Sequence, residues 1–378
     1  MREYDIACIP GDGIGPEIIR EGIRVLDAAA EPEGFRLRYT EYPYGGSYYL
    51  KTGTVLPQGG MEELKQHDAI FFGAVGDPRV QPGILEQQLL LSMRTELDQY
   101  INLRPARLWP GVESPLRDAE GFRVWVVREN TEGFYVRTGA AFDAGSGEGR
   151  TQAVISRGLY DCALDIRSSV SSGDAYAYNI GLITAAGSER IARYAFALAE
   201  RCGAGKVSCV TKRNAVPQMY SVWESAFDRV AAAYPAVATE KMNVDAAAMW
   251  LIKKPLDFGV MLAPNLFGDI LSDLTAGICG SLGFGASGNI NPEGVSMFEP
   301  IHGSAPKYAG KDIANPVATI LAGAMMLDHL GETAAARRIE NAVERAMQER
   351  AFRTHDMGGS DGTGKVGAVI LDYVKKSV

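Results

Sequence analysis

Cysteine is scarce in this sequence and unpaired. The five residues Cys8, Cys162, Cys202, Cys209 and Cys279 are an odd number, and no two follow a C-x-x-C spacing. A disulfide framework and a structural zinc site are both disfavoured, and reduced core thiols are the expectation. Long apolar runs are missing as well: no stretch reaches the roughly 20 residues that span a bilayer. The charged start Met1-Arg2-Glu3-Tyr4-Asp5 runs directly into a strand-like segment, so no signal peptide is expected and the chain reads as cytoplasmic. Positive charge is in deficit, with 38 Lys and Arg against 46 Asp and Glu and a net charge of −8. This argues against neutralising the phosphates of a nucleic acid or an anionic membrane surface. An anionic substrate must therefore meet a local cluster of arginines. No internal repeat is found, and the single low-complexity stretch, 145–149, lies in a polar region extending to about Gly173 that reads as an extended arm or loop.

What remains is an ordinary globular composition over 378 residues, 46% hydrophobic and 22% charged, enough for one or two domains. Short β-branched runs such as Ile6-Ala7-Cys8-Ile9, Ala69-Ile70-Phe71-Phe72, Val124-Trp125-Val126-Val127, Val207-Ser208-Cys209-Val210 and the segment 258–262 alternate with helical patterns. Helices are expected at 16–30, 188–201, 219–233, 316–330 and 333–349, with Pro16 in a first turn. The fold class is α/β.

Four segments carry chemistry. Pro10-Gly11-Asp12-Gly13-Ile14-Gly15-Pro16-Glu17 turns a strand into a helix but lacks the G-x-G-x-x-G spacing of a dinucleotide fingerprint, which disfavours a standard Rossmann fold. Arg94, Arg104 and Arg128 each sit beside an apolar segment. Singly, each reads as a paired or snorkelling residue; together they would suit a dicarboxylate, which guanidinium forks bind bidentately. Asp269 and Asp273 in Asn265-Leu266-Phe267-Gly268-Asp269-Ile270-Leu271-Ser272-Asp273 share a helix face, where two carboxylates call for a positive partner such as a hard divalent cation. Placement of a carboxylate at a helix N-terminus is the alternative. Glu299-Pro300-Ile301-His302-Gly303-Ser304-Ala305-Pro306-Lys307-Tyr308-Ala309-Gly310, followed by Asn315-Pro316, forms two Gly/Pro-bounded loops that would wrap an adenosine or serve structure alone.

Taken together, and in this order along nearly the whole chain, these segments resemble the β-decarboxylating dehydrogenase family, which includes isocitrate, homoisocitrate, 3-isopropylmalate and tartrate/D-malate dehydrogenases. The resemblance implies a two-domain α/β/α fold of the isopropylmalate dehydrogenase type. Residues 1–105 and 255–378 would form a large cofactor-binding domain, and 106–254 a small dimerisation domain with an arm around 138–180. It assigns Arg94, Arg104 and Arg128 to substrate carboxylates, Leu90 to the substrate pocket, and Tyr135 and Lys212 to proton transfer. It makes Asp245, Asp269 and Asp273 ligands of Mg²⁺ or Mn²⁺, with Asp245 also at the substrate and potassium as a further candidate ion. NAD or NADP would lie along His302, Gly303, Ser304, Ala305, Pro306, Lys307, Tyr308 and Asn315. In this family Lys212 and Asp245 serve the neighbouring subunit's active site, so a homodimer, or a higher oligomer built from it, is implied.

Within the family, Leu90-Leu91 resembles the 3-isopropylmalate and tartrate/D-malate branches and disfavours isocitrate, whose third carboxylate needs polar partners at this place. Gln87 stands where 3-isopropylmalate enzymes carry an acid, and Asp98-Gln99-Tyr100-Ile101-Asn102-Leu103-Arg104-Pro105 is closer to the tartrate/D-malate branch. D-malate or a 3-substituted malate is thus the expected substrate, with 3-isopropylmalate, then isocitrate or homoisocitrate, as alternatives. Lys307-Tyr308 resembles NADP-using members, yet 356–363 lacks their additional tyrosine and arginine. The stretch from Tyr135 to Thr184 is some tens of residues longer than in simpler members. A non-catalytic regulatory subunit would be expected to lose the tyrosine, the lysine or a metal aspartate, and all are present here.

Overall fold

The alternation of buried β-branched runs with amphipathic helices produces one ten-stranded mixed sheet and two two-stranded antiparallel sheets. The computed structural model describes residues 2–377. In chain order the strands are β1 (Arg2–Gly11), β2 (Phe35–Glu41), β3 (Ala69–Ala74), β4 (Ile101–Arg107), β5 (Arg123–Glu129), β6 (Gly133–Phe142), β7 (Glu148–Arg157), β8 (Tyr160–Ser169), β9 (Tyr176–Leu182), β10 (Lys206–Thr211), β11 (Ala238–Asn243), β12 (Val260–Ala263), β13 (Ala286–Ile290) and β14 (Ser296–Pro300). The large sheet runs β11-β10-β12-β5-β4-β13-β14-β3-β1-β2. Pairing is parallel towards both edges and antiparallel at β5-β4, β4-β13 and β13-β14, so the two halves of the sheet point in opposite directions. β3, β12, β13 and β14 are buried along their whole length, as strands covered by helices on both faces must be.

The helices are α1 (Gly15–Ala30), α2 (Gly46–Thr52), α3 (Gly60–Leu64), α4 (Leu91–Glu96), α5 (Ala185–Cys202), α6 (Pro217–Ala231), α7 (Val244–Lys253), α8 (Asn265–Ile278), α9 (Val317–His329), α10 (Thr333–Gln348) and α11 (Thr363–Lys376). The five helices expected from periodicity are present within a few residues of their expected ends. α9 is apolar all round because it lies inside, against β13 and β14 and beneath α1 and α10. Among the described residues no helix is long and apolar enough to cross a membrane, and all five cysteines are free thiols.

The region 138–180 is ordered as two two-stranded antiparallel sheets, β6 with β9 and the hairpin β7–β8 inserted between them, rather than as a loop. The low-complexity stretch 145–149 supplies the turn into β7, with Gly145 and Gly147 at positive φ.

Candidate active site

Antiparallel β4 and β5 place Asn102 opposite Arg128 and Arg104 opposite Val126, so Arg104 and Arg128 emerge close together at the middle of the sheet. α8 follows β12 and lies across them. Its Gly268 permits this approach, since a Cβ there would stand 2.5 Å from Arg128 Cγ. The next residue, Asp269, thereby meets both guanidiniums: Arg104 Nη1 donates to Asp269 Oδ1 at 3.3 Å, and Arg128 Nη1 donates to the same oxygen. Tyr135 Oη donates to Asp269 Oδ2 at 2.7 Å, and the Arg128 guanidinium lies 5.1 Å from the centre of the Tyr135 ring. Arg128 Nε and Nη2 both donate to Asn265 Oδ1, at 3.1 and 2.8 Å. Arg104 Nη1 also donates to Ser272 Oγ at 2.7 Å and stands 3.7 Å from Asp273 Oδ1. Arg94, in the last turn of α4, pairs with buried Glu299 at 3.1 Å.

All three arginines are buried, and Nε of both Arg94 and Arg104 meets no hydrogen-bond partner among the described residues. Burial, then the neighbouring Arg104, pushes the Arg128 guanidinium down to about 9. Although Glu299, Asp269 and Asp273 balance the three guanidiniums, the unused buried Nε donors of Arg94 and Arg104 fit a ligand that accepts hydrogen bonds, as a carboxylate does. Burial alone would raise the Asp269 carboxyl, but Arg128 and Arg104 outweigh it and hold that pKa below its ordinary value. Burial raises Asp273 against the opposing pull of Arg104. Burial, together with the bond to Asp269, raises the Tyr135 phenol, which keeps its proton at neutral pH. Leu90 is partly buried and packs on the apolar cluster that includes Leu85, Leu89 and Met93.

Lys212, just after β10, and Asp245, in the first turn of α7, form their own ion pair at 2.6 Å, which lowers the Asp245 carboxyl. Among the described residues no hydrogen bond or ion pair joins them to the Asp269 cluster, and no three His, Cys, Asp or Glu side chains stand together to hold a metal ion. One chain thus offers Asp269 and Asp273 as hard oxygen donors on one face of α8, a set that fits a divalent cation once a third carboxylate joins it.

The expected cofactor loop packs against the Gly-rich turn. Ile14 N donates to Ser304 O at 2.9 Å, and Gly13, at φ +60°, leaves no room for a Cβ, which would lie 2.0 Å from the same oxygen. Ser304 Oγ donates to Gly76 O at 2.6 Å, and Ala305 holds a left-handed φ of +40° ahead of the short helical turn Pro306–Tyr308. Asp12 staples these loops: its carboxylate accepts from Gly46 N at 2.9 Å and from Gly76 N at 3.1 Å. His302 Nδ1 lies 3.1 Å from Gly303 O, while Nε2 is buried without a partner among the described residues. Burial lowers the His302 pKa, so the ring is neutral, and with Nδ1–H given to the carbonyl, Nε2 is left as an acceptor. This buried, unused acceptor fits a ligand amino group. Gly303 and Pro306 are exposed, and the Lys307 ammonium lies 4.7 Å over the Tyr308 ring. Asn315 is engaged structurally, its Oδ1 accepting from Val317 N at the start of α9 and its Nδ2 donating to Asp356 Oδ2, both at 3.1 Å. Sequence reasoning missed Asn265, Ser272 and Glu299 as partners of the arginines, and Asp12 as the loop staple. The buried arginine positions imply that such counter-groups exist without saying where they lie.

The profile of the isocitrate/isopropylmalate dehydrogenase family matches residues 5–370. A protein of Thermobifida fusca named 3-isopropylmalate dehydrogenase is 43% identical over 377 residues, covering 99% of this chain and 98% of the relative. One of the same name from Streptomyces griseus is 42% identical over 351 residues, covering 92% and 93%. Among solved structures, isocitrate dehydrogenase from Methylococcus capsulatus superposes with a TM-score of 0.83 at 33% identity over 98% of this chain and 99% of that one. A beta-decarboxylating dehydrogenase from Thermococcus kodakarensis superposes with a TM-score of 0.74 at 34% identity over 99% and 96%. With its arginine cluster and loops arranged as described, the chain belongs to the isocitrate/isopropylmalate dehydrogenase family and is a decarboxylating dehydrogenase.

Proposed function

We propose that this enzyme oxidises a (2R)-malate bearing a small apolar C3 substituent, with 3-isopropylmalate the first candidate, and releases the β-carboxylate as carbon dioxide while reducing NAD or NADP. The observation that carries the reading is the set of three buried arginines around a protonated Tyr135, with unused donors on Arg94 and Arg104 and an apolar Leu90 nearby. The names of the relatives move the emphasis from D-malate to 3-isopropylmalate. D-malate or tartrate stays as the second reading because Gln87 stands where an acid was expected of 3-isopropylmalate enzymes.

In this reading the guanidiniums of Arg94, Arg104 and Arg128 hold the two carboxylates. Lys212 takes the proton of the C2 hydroxyl as hydride leaves C2. Tyr135 then gives its phenolic proton to C3 after the carboxylate departs, a transfer worth about 10²- to 10⁴-fold in rate. Mg²⁺ or Mn²⁺ held by Asp269, Asp273 and Asp245 would supply Lewis-acid polarisation of the hydroxyl and carbonyl oxygen. His302 to Tyr308 and Asn315 would hold the nicotinamide dinucleotide, with Lys307 placed to pair with a 2′-phosphate. Because Lys212 and Asp245 stand apart from Asp269 in one chain, they complete the site of a second copy. Exposed Met249, Trp250, Ile252, Leu256 and Ile270, on and beside α7 and α8, support that homodimer. The unit 106–254 would carry the dimer contacts and the unit formed by 1–105 and 255–378 the cofactor.

The test is initial-rate nicotinamide reduction with Mn²⁺ and potassium, crossing NAD and NADP against 3-isopropylmalate, D-malate, tartrate, isocitrate and homoisocitrate. Preferential turnover of 3-isopropylmalate is expected. Preference for a tricarboxylate would overturn the reading of Leu90.

A further inference from the structure

The hairpin β7–β8 folds back onto its own chain, and its turn lands behind the corner that joins Arg128 to Tyr135. Arg157 Nε donates to Thr131 O at 2.6 Å. Gly158 fits against Asp98, whose Oδ2 a Cβ would approach to 2.7 Å. The corner itself is bonded through its acids: Glu129 accepts from Thr131 N at 2.9 Å, Thr131 Oγ1 at 2.8 Å and Glu132 N at 2.7 Å. The Glu132 carboxylate accepts from Thr184 N at 2.9 Å and Thr184 Oγ1 at 2.6 Å. On the inner side, Asn265 Nδ2 donates to Glu132 O at 3.3 Å while Asn265 Oδ1 accepts from Arg128. Arg157 and the Asn265–Arg128 unit therefore grip adjacent peptide groups of one short turn from opposite sides.

Arg157 is only partly exposed, yet it has no carboxylate partner among the described residues. The hydrogen bonds of its side chain go to the carbonyls of Thr131 and Ser156. A desolvated guanidinium satisfied by peptide oxygens alone contributes little ion-pair energy, and what it provides is fixed geometry. We propose that Arg157 is a positioning residue for the reaction, the turn of the β7–β8 hairpin clamping Glu129 to Glu132 so that Arg128 and Tyr135 hold the substrate in register. This rests on the reading of Arg128 and Tyr135 as substrate groups. It also gives the long 138–180 segment a task within its own chain.

The test compares the full-length enzyme with Arg157→Ala and Arg157→Lys by amide hydrogen exchange over 128–136 and by steady-state kinetics. Arg157→Ala should raise exchange across this segment and raise KM for the hydroxy acid by about tenfold or more, as sub-ångström misplacement of binding groups does, while the cofactor KM stays within about twofold. Arg157→Lys, which keeps one donor and the charge, should recover part of both losses. Unchanged exchange overturns the clamp. Raised exchange with an unchanged substrate KM overturns its positioning role, as does an equal loss in substrate and cofactor KM. If the wild-type enzyme turns over no malate, the proposed function fails while the exchange result alone decides the clamp.

Discussion

In the proposed reaction Tyr135 supplies a proton, and its hydroxyl is bonded to Asp269. Tyr135→Phe removes the phenolic proton but leaves the ring over which Arg128 lies, so kcat should fall by about 10²- to 10⁴-fold with cofactor KM unchanged in steady-state assays. Arg104→Lys loses the planar guanidinium whose Nη1 donates to both Asp269 and Ser272 and should raise substrate KM more than it lowers kcat. A third residue sets a pH dependence of stability. Burial, then the neighbouring Glu129, pushes the Glu132 carboxyl from 4.5 to about 7. Between those values the unfolded chain has lost this proton and the folded chain keeps it, so stability falls as pH rises through the window. Glu132→Gln should flatten the dependence of the urea midpoint on pH from about 4.5 to 7; an unchanged slope would contradict the assignment. At this scale the arginines stood out in the sequence by their apolar flanks and the α8 aspartates by their helical spacing, whereas Tyr135 was singled out by the family resemblance alone. The counter-groups of the arginines did not stand out, since Glu299 meets Arg94 from 205 residues away and Asn265 meets Arg128 from 137.

Helix α8 shows how an element is seated by one missing side chain. Gly268→Ala would drive a Cβ into Arg128, displacing the arginine or the helix, whereas Gly277 in the same helix has nothing within 4 Å of the added carbon. Gly268→Ala should lower Tm and raise substrate KM, while Gly277→Ala should stabilise by about 0.5–1 kcal/mol from helix propensity. Thermal melts of the pair measure the difference, and equal behaviour would contradict the close-approach account. Apart from α9, which is apolar all round, helix positions were readable because each long helix buries one stripe at a 3.6-residue period. The 138–180 region read as arm or loop because β7 and β8 leave alternate residues exposed and a glycine-rich turn interrupts them. The reversal of direction at β4, β5 and β13 is a matter of tertiary pairing, which local pattern does not encode.

At the scale of the whole molecule, no hydrogen bond or ion pair joins Lys212 and Asp245 to Asp269 among the described residues, so under the proposed shared site assembly would be a requirement for catalysis. Trp250, 37% exposed, and Ile270, 56% exposed, would be covered in the dimer, so a Trp250→Glu/Ile270→Glu double substitution should yield monomers by sedimentation and abolish turnover. Monomers that kept full activity would contradict the shared site. Family and fold were legible from the order of the motifs along the chain. The C3 substituent was not, because Leu90 alone marks an apolar wall without fixing its depth, and the relatives shifted that choice towards 3-isopropylmalate. The proposed reaction couples oxidation to decarboxylation at a metal-dependent site. The most direct measurement is the ratio of carbon dioxide released to nicotinamide reduced from 3-isopropylmalate, before chelation, under EDTA, and after Mn²⁺ is restored. Equimolar products are expected, lost under chelation and recovered with the metal. Reduction of the nicotinamide without carbon dioxide, or turnover indifferent to EDTA, would contradict the proposed reaction.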